Sequence, residues 1–217
     1  MFMGSEFSTS STSGKVVVKN SGNLATKGIG SIALLAQSVG GGGGVNAYSK
    51  LADNLQPQTE ITVDKLLGAT NVSDNFRLFL SSKDSLNAGP KSIDVLNTSS
   101  SVTTLGDMAP ALLIQSVGGG GGWTTLRSAT DSNLRLGSKR GSESFAGDIE
   151  VTNKATITTI GDYSQAIRVQ TVGGGGGAAS ARANAVRLGS QKVVGNSSGG
   201  DIKLTNSGNI STIGTGS

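Results

Sequence analysis

The residues that most resemble a chemical motif are three runs of five glycines, each of which follows a Gln-Ser-Val or Gln-Thr-Val tripeptide. Glycine-rich loops bind phosphate when a Gly-Lys-Ser or Gly-Lys-Thr ending opens a helix. These runs end instead in Val45-Asn46, Trp123-Thr124 and Ala178-Ala179, and no βαβ pattern surrounds them as a dinucleotide site requires. Calcium-binding glycine repeats need aspartates within the run, and none is present. The sequence therefore predicts no phosphate or calcium site and no cofactor.

The acidic residues do not form a catalytic pattern. A carbohydrate-active enzyme built on a β-helix needs carboxylates or basic side chains that converge in one groove. The chain has neither cysteine nor histidine, which excludes disulfides and thiolate metal sites. We predict no catalytic residue and no metal ligand, and we interpret the protein as not an enzyme. The aspartates considered are isolated and typical of solvated turns: Asp64, Asp74, Asp94, Asp107, Asp148 and Asp162.

Charge and hydropathy exclude two further classes of partner. The net charge is +4 and the 18 Lys and Arg residues are scattered, without the basic stripe and stacking aromatics typical of nucleic-acid binding. No apolar run approaches the roughly 20 residues of a membrane helix. We therefore expect no nucleic-acid partner and no membrane insertion.

Trp123 is the one tryptophan, and it follows directly after a glycine run that leaves nothing beside it to cover a ring. Two interpretations stay open. The indole either caps a corner by packing on the glycines, or is exposed as a surface contact to carbohydrate or protein. The cap is the interpretation we favour.

The elements that would position these residues are repeats. A flexible linker is one interpretation of five glycines, but constant length and constant position after an apolar strand favour ordered backbone packed where no Cβ fits. A small polar residue lies seventeen positions before each glutamine, at Asn20, Thr98 and Asn153. The predicted structural residues are Gln37, Gln115, Gln170, Gly40, Gly41, Gly42, Gly43, Gly44, Gly118, Gly119, Gly120, Gly121, Gly122, Gly173, Gly174, Gly175, Gly176 and Gly177.

The strand before each glycine run shows which face is buried. In the third copy, Arg168 takes the position that Leu35 holds in the first. Because a charge is rarely buried without a partner, the opposite face is the predicted core. That face carries Leu34, Leu112 and Ile167. The three glutamines would then point outward or lie at a corner of the strand.

Short alternating strands, tight turns and glycine at 34 of 217 residues predict an all-β fold, a parallel β-helix or β-solenoid. Ile93, Ile149 and Ile202 set repeat lengths of 56 and 53 residues. Arg-Leu pairs recur between the glycine runs and suggest that each repeat makes two coils. Successive glutamines are then expected about 9 to 10 Å apart along the axis. The pairs are Arg77-Leu78, Arg135-Leu136 and Arg187-Leu188.

The chain divides into a leader and a repeat array. Residues 1–14 are interpreted as a vector-derived leader with a polar lead-in, and residues 15–217 as an array whose fourth repeat stops before its glycine run. The first repeat is longer, with an excursion at 45–72 that is either an extra coil or a projecting hairpin. Pro57 favours projection.

The segment Leu34–Val39 with its five glycines, preceded by Asn-Ser-Gly-Asn-Leu and Gly28, resembles the glycine-rich repeats of large bacterial autotransporter passengers of the adhesin type. Asn206–Thr212 repeats the theme. The resemblance implies a cell-surface or extracellular location, export by an outer-membrane translocator barrel, and a host or environmental surface ligand, protein or glycan. It transfers no catalytic residue, because the repeats match at scaffold positions.

Two functions stay open. The first is an adhesin stalk or structural repeat for attachment, and the second is a fragment of a carbohydrate-active β-helix enzyme, a lyase or glycoside hydrolase. An enzyme is expected to interrupt its repeat at one place with clustered Asp, Glu or Arg. This sequence repeats evenly apart from the excursion, so the structural function is favoured.

Overall fold

The computed structural model describes residues 2–3, 13–40, 43–49, 77–80, 84–86, 92–119, 121–127, 133–136, 140–142, 144–181, 185–188, 192–193 and 195–217. In these residues the secondary structure is entirely β, which confirms the all-β prediction. The strands are β1 (Phe2–Met3), β2 (Val16–Asn20), β3 (Leu24–Lys27), β4 (Leu34–Val39), β5 (Gly43–Ser49), β6 (Arg77–Leu80), β7 (Asp84–Leu86), β8 (Ile93–Asn97), β9 (Ser101–Leu105), β10 (Leu112–Val117), β11 (Gly121–Arg127), β12 (Asn133–Leu136), β13 (Arg140–Ser142), β14 (Ile149–Asn153), β15 (Thr156–Ile160), β16 (Ile167–Val172), β17 (Gly176–Ala181), β18 (Ala185–Leu188), β19 (Lys192–Val193), β20 (Ile202–Asn206) and β21 (Ile210–Ile213).

The described strands form six sheets in which the pairings between named strands are parallel. From β2 onward, each strand pairs with the strand six places further along the chain, so each repeat contributes one strand to every sheet. We number the sheets in the order in which the repeat enters them. They are sheet I (β2, β8, β14, β20), sheet II (β3, β9, β15, β21), sheet III (β4, β10, β16), sheet IV (β5, β11, β17), sheet V (β1, β6, β12, β18) and sheet VI (β7, β13, β19).

Sequence repetition explains this order, because equivalent residues lie side by side. Ile149 pairs with Ile93 on one side and with Ile202 on the other. Alternation along the strands of sheets I and II directs every second side chain into the core, for example Ile93 and Val95 of β8. β20 and β21 begin the same order again on top of the third repeat.

The expectation that two coils separate successive glutamines is wrong. Gln115 pairs directly with both Gln37 and Gln170. The strands that carry the Arg-Leu pairs belong to sheet V and the strands after them to sheet VI. They do not stack on the strands of sheets I to III, so they are not a second coil of the same kind. The Arg-Leu alignment also fails in the first repeat, where Phe79 and not Arg77 lies beside Arg135.

The main core lies among sheets I, II and III. Leu34 is 7% exposed and Leu112 is fully buried, which confirms the predicted core face, and Ile167 packs against the same cluster while partly buried. The buried cluster also contains Ala36, Ile93, Val95, Val102, Ala111, Ile114, Ile149, Val151, Ala155, Ile157 and Ala166.

The predicted leader and excursion are only partly described. Phe2–Met3 of the leader forms β1 and pairs with Phe79–Leu80 in sheet V. Val45 to Ser49, the start of the predicted excursion, belong to β5 and pair with β11 in regular register. Positions 50–72 of the excursion lie outside the described residues.

Candidate functional site

The glutamines before the glycine runs form a ladder across sheet III. Gln37 Nε2 donates to Gln115 Oε1 at 2.9 Å, and Gln115 Nε2 donates to Gln170 Oε1 at 3.0 Å. Gln170 Nε2 ends the ladder by donating to the carbonyl oxygen of Gly177 at 3.1 Å. Gln115 is fully buried and its two neighbours are partly buried. The expectation that the glutamines point outward is therefore wrong for Gln115.

Sheet IV is the reason why this face is buried. The last two glycines of each run begin a strand of sheet IV. Side chains of sheets III and IV form a second apolar cluster of Leu113, Trp123 and Ala178, with Ile32 against it. Both faces of β10 are therefore buried, one in the main core and one against this second cluster, whereas Leu35 of the edge strand β4 is 41% exposed. An amide in such a position must find a partner, because a buried amide without one costs about 1–3 kcal/mol.

Trp123 belongs to this second cluster. Its side chain is 3% exposed, so the alternative of an exposed surface contact is wrong. It lies in β11 beside Ala178 of β17, and the guanidinium of Arg168 lies 5.4 Å from its ring centroid. The indole packs in a cluster with Leu113 and Ala178, so it is buried as the favoured interpretation requires, but it lies within a strand and not at a corner.

Arg168 is the one departure from leucine in its column of sheet III. Leu35 and Leu113 hold the equivalent positions. Burial lowers the pKa of the Arg168 guanidinium from its ordinary value. Arg168 Nη1 donates to Gln165 Oε1 at 3.0 Å, but Arg168 Nε and Trp123 Nε1 are buried without a hydrogen-bond partner. The arginine thus keeps its charge at the edge of the cluster at the cost of one unpaired donor.

Five glycines of the runs lie against other backbone: Gly118, Gly119, Gly121, Gly173 and Gly177. Gly121 pairs with Gly43 and Gly176, and at its φ of 138° an added Cβ would overlap the carbonyl oxygen of Gly176. A Cβ on Gly173 would lie 2.6 Å from the carbonyl oxygen of Ser198. At these positions the glycine backbone lies too close to other backbone to admit a Cβ, as packed segments require, and the prediction of ordered runs stays a prediction. Gly41, Gly42 and Gly120 lie outside the described residues.

A second amide ladder crosses sheet I. Asn20 Nδ2 donates to Asn97 Oδ1 at 2.8 Å, and the same bond follows from Asn97 to Asn153 and from Asn153 to Asn206, both at 2.7 Å. Sequence reasoning placed Thr98 in this column and missed Asn97. The signal was present, because Ile93, Val95 and Asn97 reproduce the spacing of Ile149, Val151 and Asn153.

Several of the described ionisable side chains make hydrogen bonds or ion pairs with the neighbouring repeat. The carboxylates of Asp107, Asp148 and Asp162 accept hydrogen bonds from backbone N–H groups of the next repeat, at Asp162, Asp201 and Thr215. Lys203 Nζ lies 2.6 Å from Glu150 Oε1, and this hydrogen bond raises the pKa of Lys203.

Within the described ranges, no three His, Cys, Asp or Glu residues are placed to hold a metal ion. The same ranges contain no helix long and apolar enough to span a membrane.

The chain was compared with protein families, curated proteins and solved structures. No family model, no curated protein and no solved structure matches it.

Proposed function

We propose that the chain is a β-solenoid with one coil per repeat, and that each coil consists of six strands. The order of the pairings supports this fold, because each strand from β2 onward lies beside its equivalent in the next repeat. Parallel neighbours in one sheet are about 4.8 Å apart, so each repeat advances the axis by about that distance.

The function proposed for this solenoid is structural. The chain acts as a repeat segment of a bacterial cell-surface or secreted autotransporter passenger, and contributes to attachment to a host or another surface. The observation that carries the structural part is the pair of continuous amide ladders, which extend through every described repeat without interruption. The resemblance of the Leu34–Val39 segment and its glycines to adhesin-type passengers supports the class.

The aspartates favour a scaffold over an enzyme. Asp107 and Asp162 occupy equivalent turns, and each accepts a backbone N–H from the turn of the following repeat. Carboxylates with this role connect successive repeats and are directed along the stack. A glycosidase instead needs two carboxyl groups facing each other across a groove, about 5 to 10 Å apart.

The dimensions indicate which surface takes part in attachment. A coil of 53 to 56 residues that advances by about 4.8 Å makes a broad structure with a short axis. Such a segment adds little length as a spacer but presents wide lateral faces. We therefore assign attachment to the lateral faces, with a protein or glycan of the host or environment as partner. Export by an outer-membrane translocator barrel belongs to the same proposal.

Surface labelling tests this function. Antibodies raised against the 217-residue chain are applied to intact and permeabilised cells of the bacterium that produces it, with a periplasmic protein as the control. We expect labelling of intact cells and loss of the signal after external protease. Labelling that requires permeabilisation would refute the surface location. Release of new reducing ends from a polysaccharide panel by the purified chain would favour the enzyme instead.

A further inference from the structure

The corner between sheets II and III repeats one backbone conformation, and one repeat fills it with tyrosine. The third residue of this corner has a left-handed backbone in all four repeats. These residues are Gly30, Met108, Tyr163 and Gly216, with φ of 71°, 56°, 59° and 69°. Glycine adopts this conformation without strain, whereas a side chain makes it costly. The corner therefore favours glycine, and a side chain here needs a compensating gain.

Burial compensates Met108 but not Tyr163. Met108 is 7% exposed, whereas Tyr163 is 50% exposed. The end of the chain is not the reason, because Tyr163 lies between two occupied positions of its column. Met108 N–H donates to Asp162 O in the repeat of Tyr163, and Tyr163 N–H donates to Thr215 O in the next repeat. The strain at Tyr163 is thus kept for a ring that the neighbouring repeats leave half exposed, and such strain is typical of functional positions.

The ring of Tyr163 lies against the next repeat. A Cβ built on Gly216 would lie 2.9 Å from Cδ1 and 3.0 Å from Cε1 of the ring, so the ring rests beside the bare backbone of that glycine. This contact restricts the positions that the ring can take. A restricted side chain loses less entropy when a ligand binds to it.

A carboxylate adjoins the ring in the sequence and is held by the same repeat. Asp162 Oδ1 accepts a hydrogen bond from Thr215 N–H at 2.8 Å. Asp162 is exposed, and a carboxylate accepts about four hydrogen bonds in all. The Asp162 carboxylate is therefore oriented and still has acceptor positions that face solvent.

This combination matches a sugar better than a protein. A pyranose has a face of C–H groups, which stacks on an aromatic ring, and hydroxyl groups, which donate to a carboxylate. A stable protein contact buries about 800 Å² of each partner around apolar anchors. The residues beside Tyr163 in this corner are Gly161, Asp162, Thr215 and Gly216, which provide little apolar surface.

We propose that the Tyr163 corner binds a pyranose unit of a surface glycan. The sugar stacks its C–H face on the Tyr163 ring, and its hydroxyl groups donate to the Asp162 carboxylate. This inference rests on the attachment function proposed above, and it gives the lateral face a site and a class of ligand.

Saturation-transfer NMR of the whole 217-residue chain tests the site. The probes are the methyl glycosides of glucose, galactose, mannose and N-acetylglucosamine at millimolar concentration. We expect saturation to pass from the protein to the C–H protons of at least one probe. Tyr163→Gly is expected to lose this transfer while its melting temperature stays equal or rises, because glycine suits a φ of 59°. Tyr163→Phe keeps the ring and is expected to keep the transfer.

Phe145→Ala is the matched control, because Phe145 is 46% exposed and precedes sheet I, away from this corner. It is expected to leave the transfer unchanged. No transfer to any of the four probes would overturn the proposal, as would equal transfer in the parent chain and Tyr163→Gly or loss of transfer in Phe145→Ala. A lower melting temperature in Tyr163→Gly would assign the ring to the fold instead. Binding to immobilised mucin that survives periodate oxidation of its glycans, but is lost in Tyr163→Gly, would indicate a protein partner and refute the sugar.

These results are separable from the test of the surface location. Labelling of intact cells without saturation transfer would refute the sugar site and leave the surface function standing. Transfer together with labelling that requires permeabilisation would refute the surface location and leave the sugar site standing.

Discussion

Replacing Asn153 with alanine tests whether the asparagine ladder stabilises the fold. The Asn153 side chain is fully buried. Its Oδ1 accepts from Asn97 Nδ2 at 2.7 Å, and its Nδ2 donates to Ala155 O at 3.0 Å and to Asn206 Oδ1 at 2.7 Å. The substitution removes all three bonds from the middle of sheet I.

The expected loss follows from the groups that are left behind. Asn97 Nδ2 is buried and loses its acceptor, and a buried polar group left unsatisfied costs about 1–3 kcal/mol. Ala155 O also loses a donor, which adds about 1 kcal/mol. Asn206 is exposed and water replaces its lost bond. We therefore expect Asn153→Ala to lower the free energy of unfolding by about 2–4 kcal/mol.

Asn20→Ala is the matched control, because Asn20 lies at the partly buried end of the same ladder. Asn97 Oδ1 loses the Asn20 donor in this variant but still accepts from Ser99 Oγ at 2.9 Å. No buried group is left without a partner, so the expected loss is about 1 kcal/mol or less. Both variants are measured by urea unfolding, followed by far-UV circular dichroism and by the fluorescence of Trp123.

The comparison between the two variants shows whether burial makes the asparagine ladder stabilising. Equal losses in Asn153→Ala and Asn20→Ala would refute the idea that burial of the ladder makes it stabilising. A loss below about 0.5 kcal/mol in Asn153→Ala would do the same. The two losses are comparable only if the slope of the unfolding free energy against urea concentration is the same in both variants. A changed slope indicates a different amount of surface exposed on unfolding.

Three further substitutions test other parts of the structure by thermal and urea unfolding. Gly121→Val is expected to lower the free energy of unfolding by at least about 2 kcal/mol, because the valine side chain overlaps the backbone of Gly176. Gly14→Val is the control and is expected to leave stability unchanged, because nothing lies within 4 Å of a Cβ at that position. Equal effects of the two substitutions would contradict close packing of the glycines. Leu112→Asp is expected to cost about 3–5 kcal/mol through an unpaired buried charge, and an unchanged melting curve would contradict the core assignment. Arg168→Leu is expected to be neutral or to stabilise by up to about 1 kcal/mol, because it removes an unpaired buried donor. A clear loss in that variant would show that the cation contact with the tryptophan outweighs burial.

The core face was predictable because it depends on one strand and its copies. A single charged residue, Arg168, excluded one face of the strand, and alternation assigned Leu34 and Leu112 to the other. The glycine packing was predictable for a similar reason, since constant run length indicates a constant environment. Both inferences use local spacing, which the sequence displays directly.

The burial of Gln115 was not predictable in this way, because it depends on sheet IV. Periodicity shows that a strand has two faces, but it does not show that a later strand covers the second face. The half-buried Arg168 made that face look solvated, although its guanidinium lies against the tryptophan ring. A covering sheet is a nonlocal contact, and pattern within one strand contains no signal for it.

The prediction of two coils per repeat was wrong for a different reason. Arg135-Leu136 and Arg187-Leu188 are equivalent, but the similar Arg77-Leu78 is two residues out of register with them. Short pairs of common residues recur by chance, so they do not define a coil. The pairing of Gln115 with both neighbouring glutamines is the stronger indicator, because a buried amide requires a specific partner.

The amide ladders explain how such similar repeats keep one register. Isoleucine, valine and leucine alternate at every second position, so a slip of two residues leaves the apolar columns nearly unchanged. The same slip separates Asn97 from Asn153 and places Asn97 opposite Val151 or Ala155, whose side chains offer no hydrogen bond. Each misplaced buried amide then costs about 1–3 kcal/mol, whereas the correct register satisfies every member. Apolar columns therefore supply most of the burial, and the asparagine and glutamine ladders decide which residues face each other.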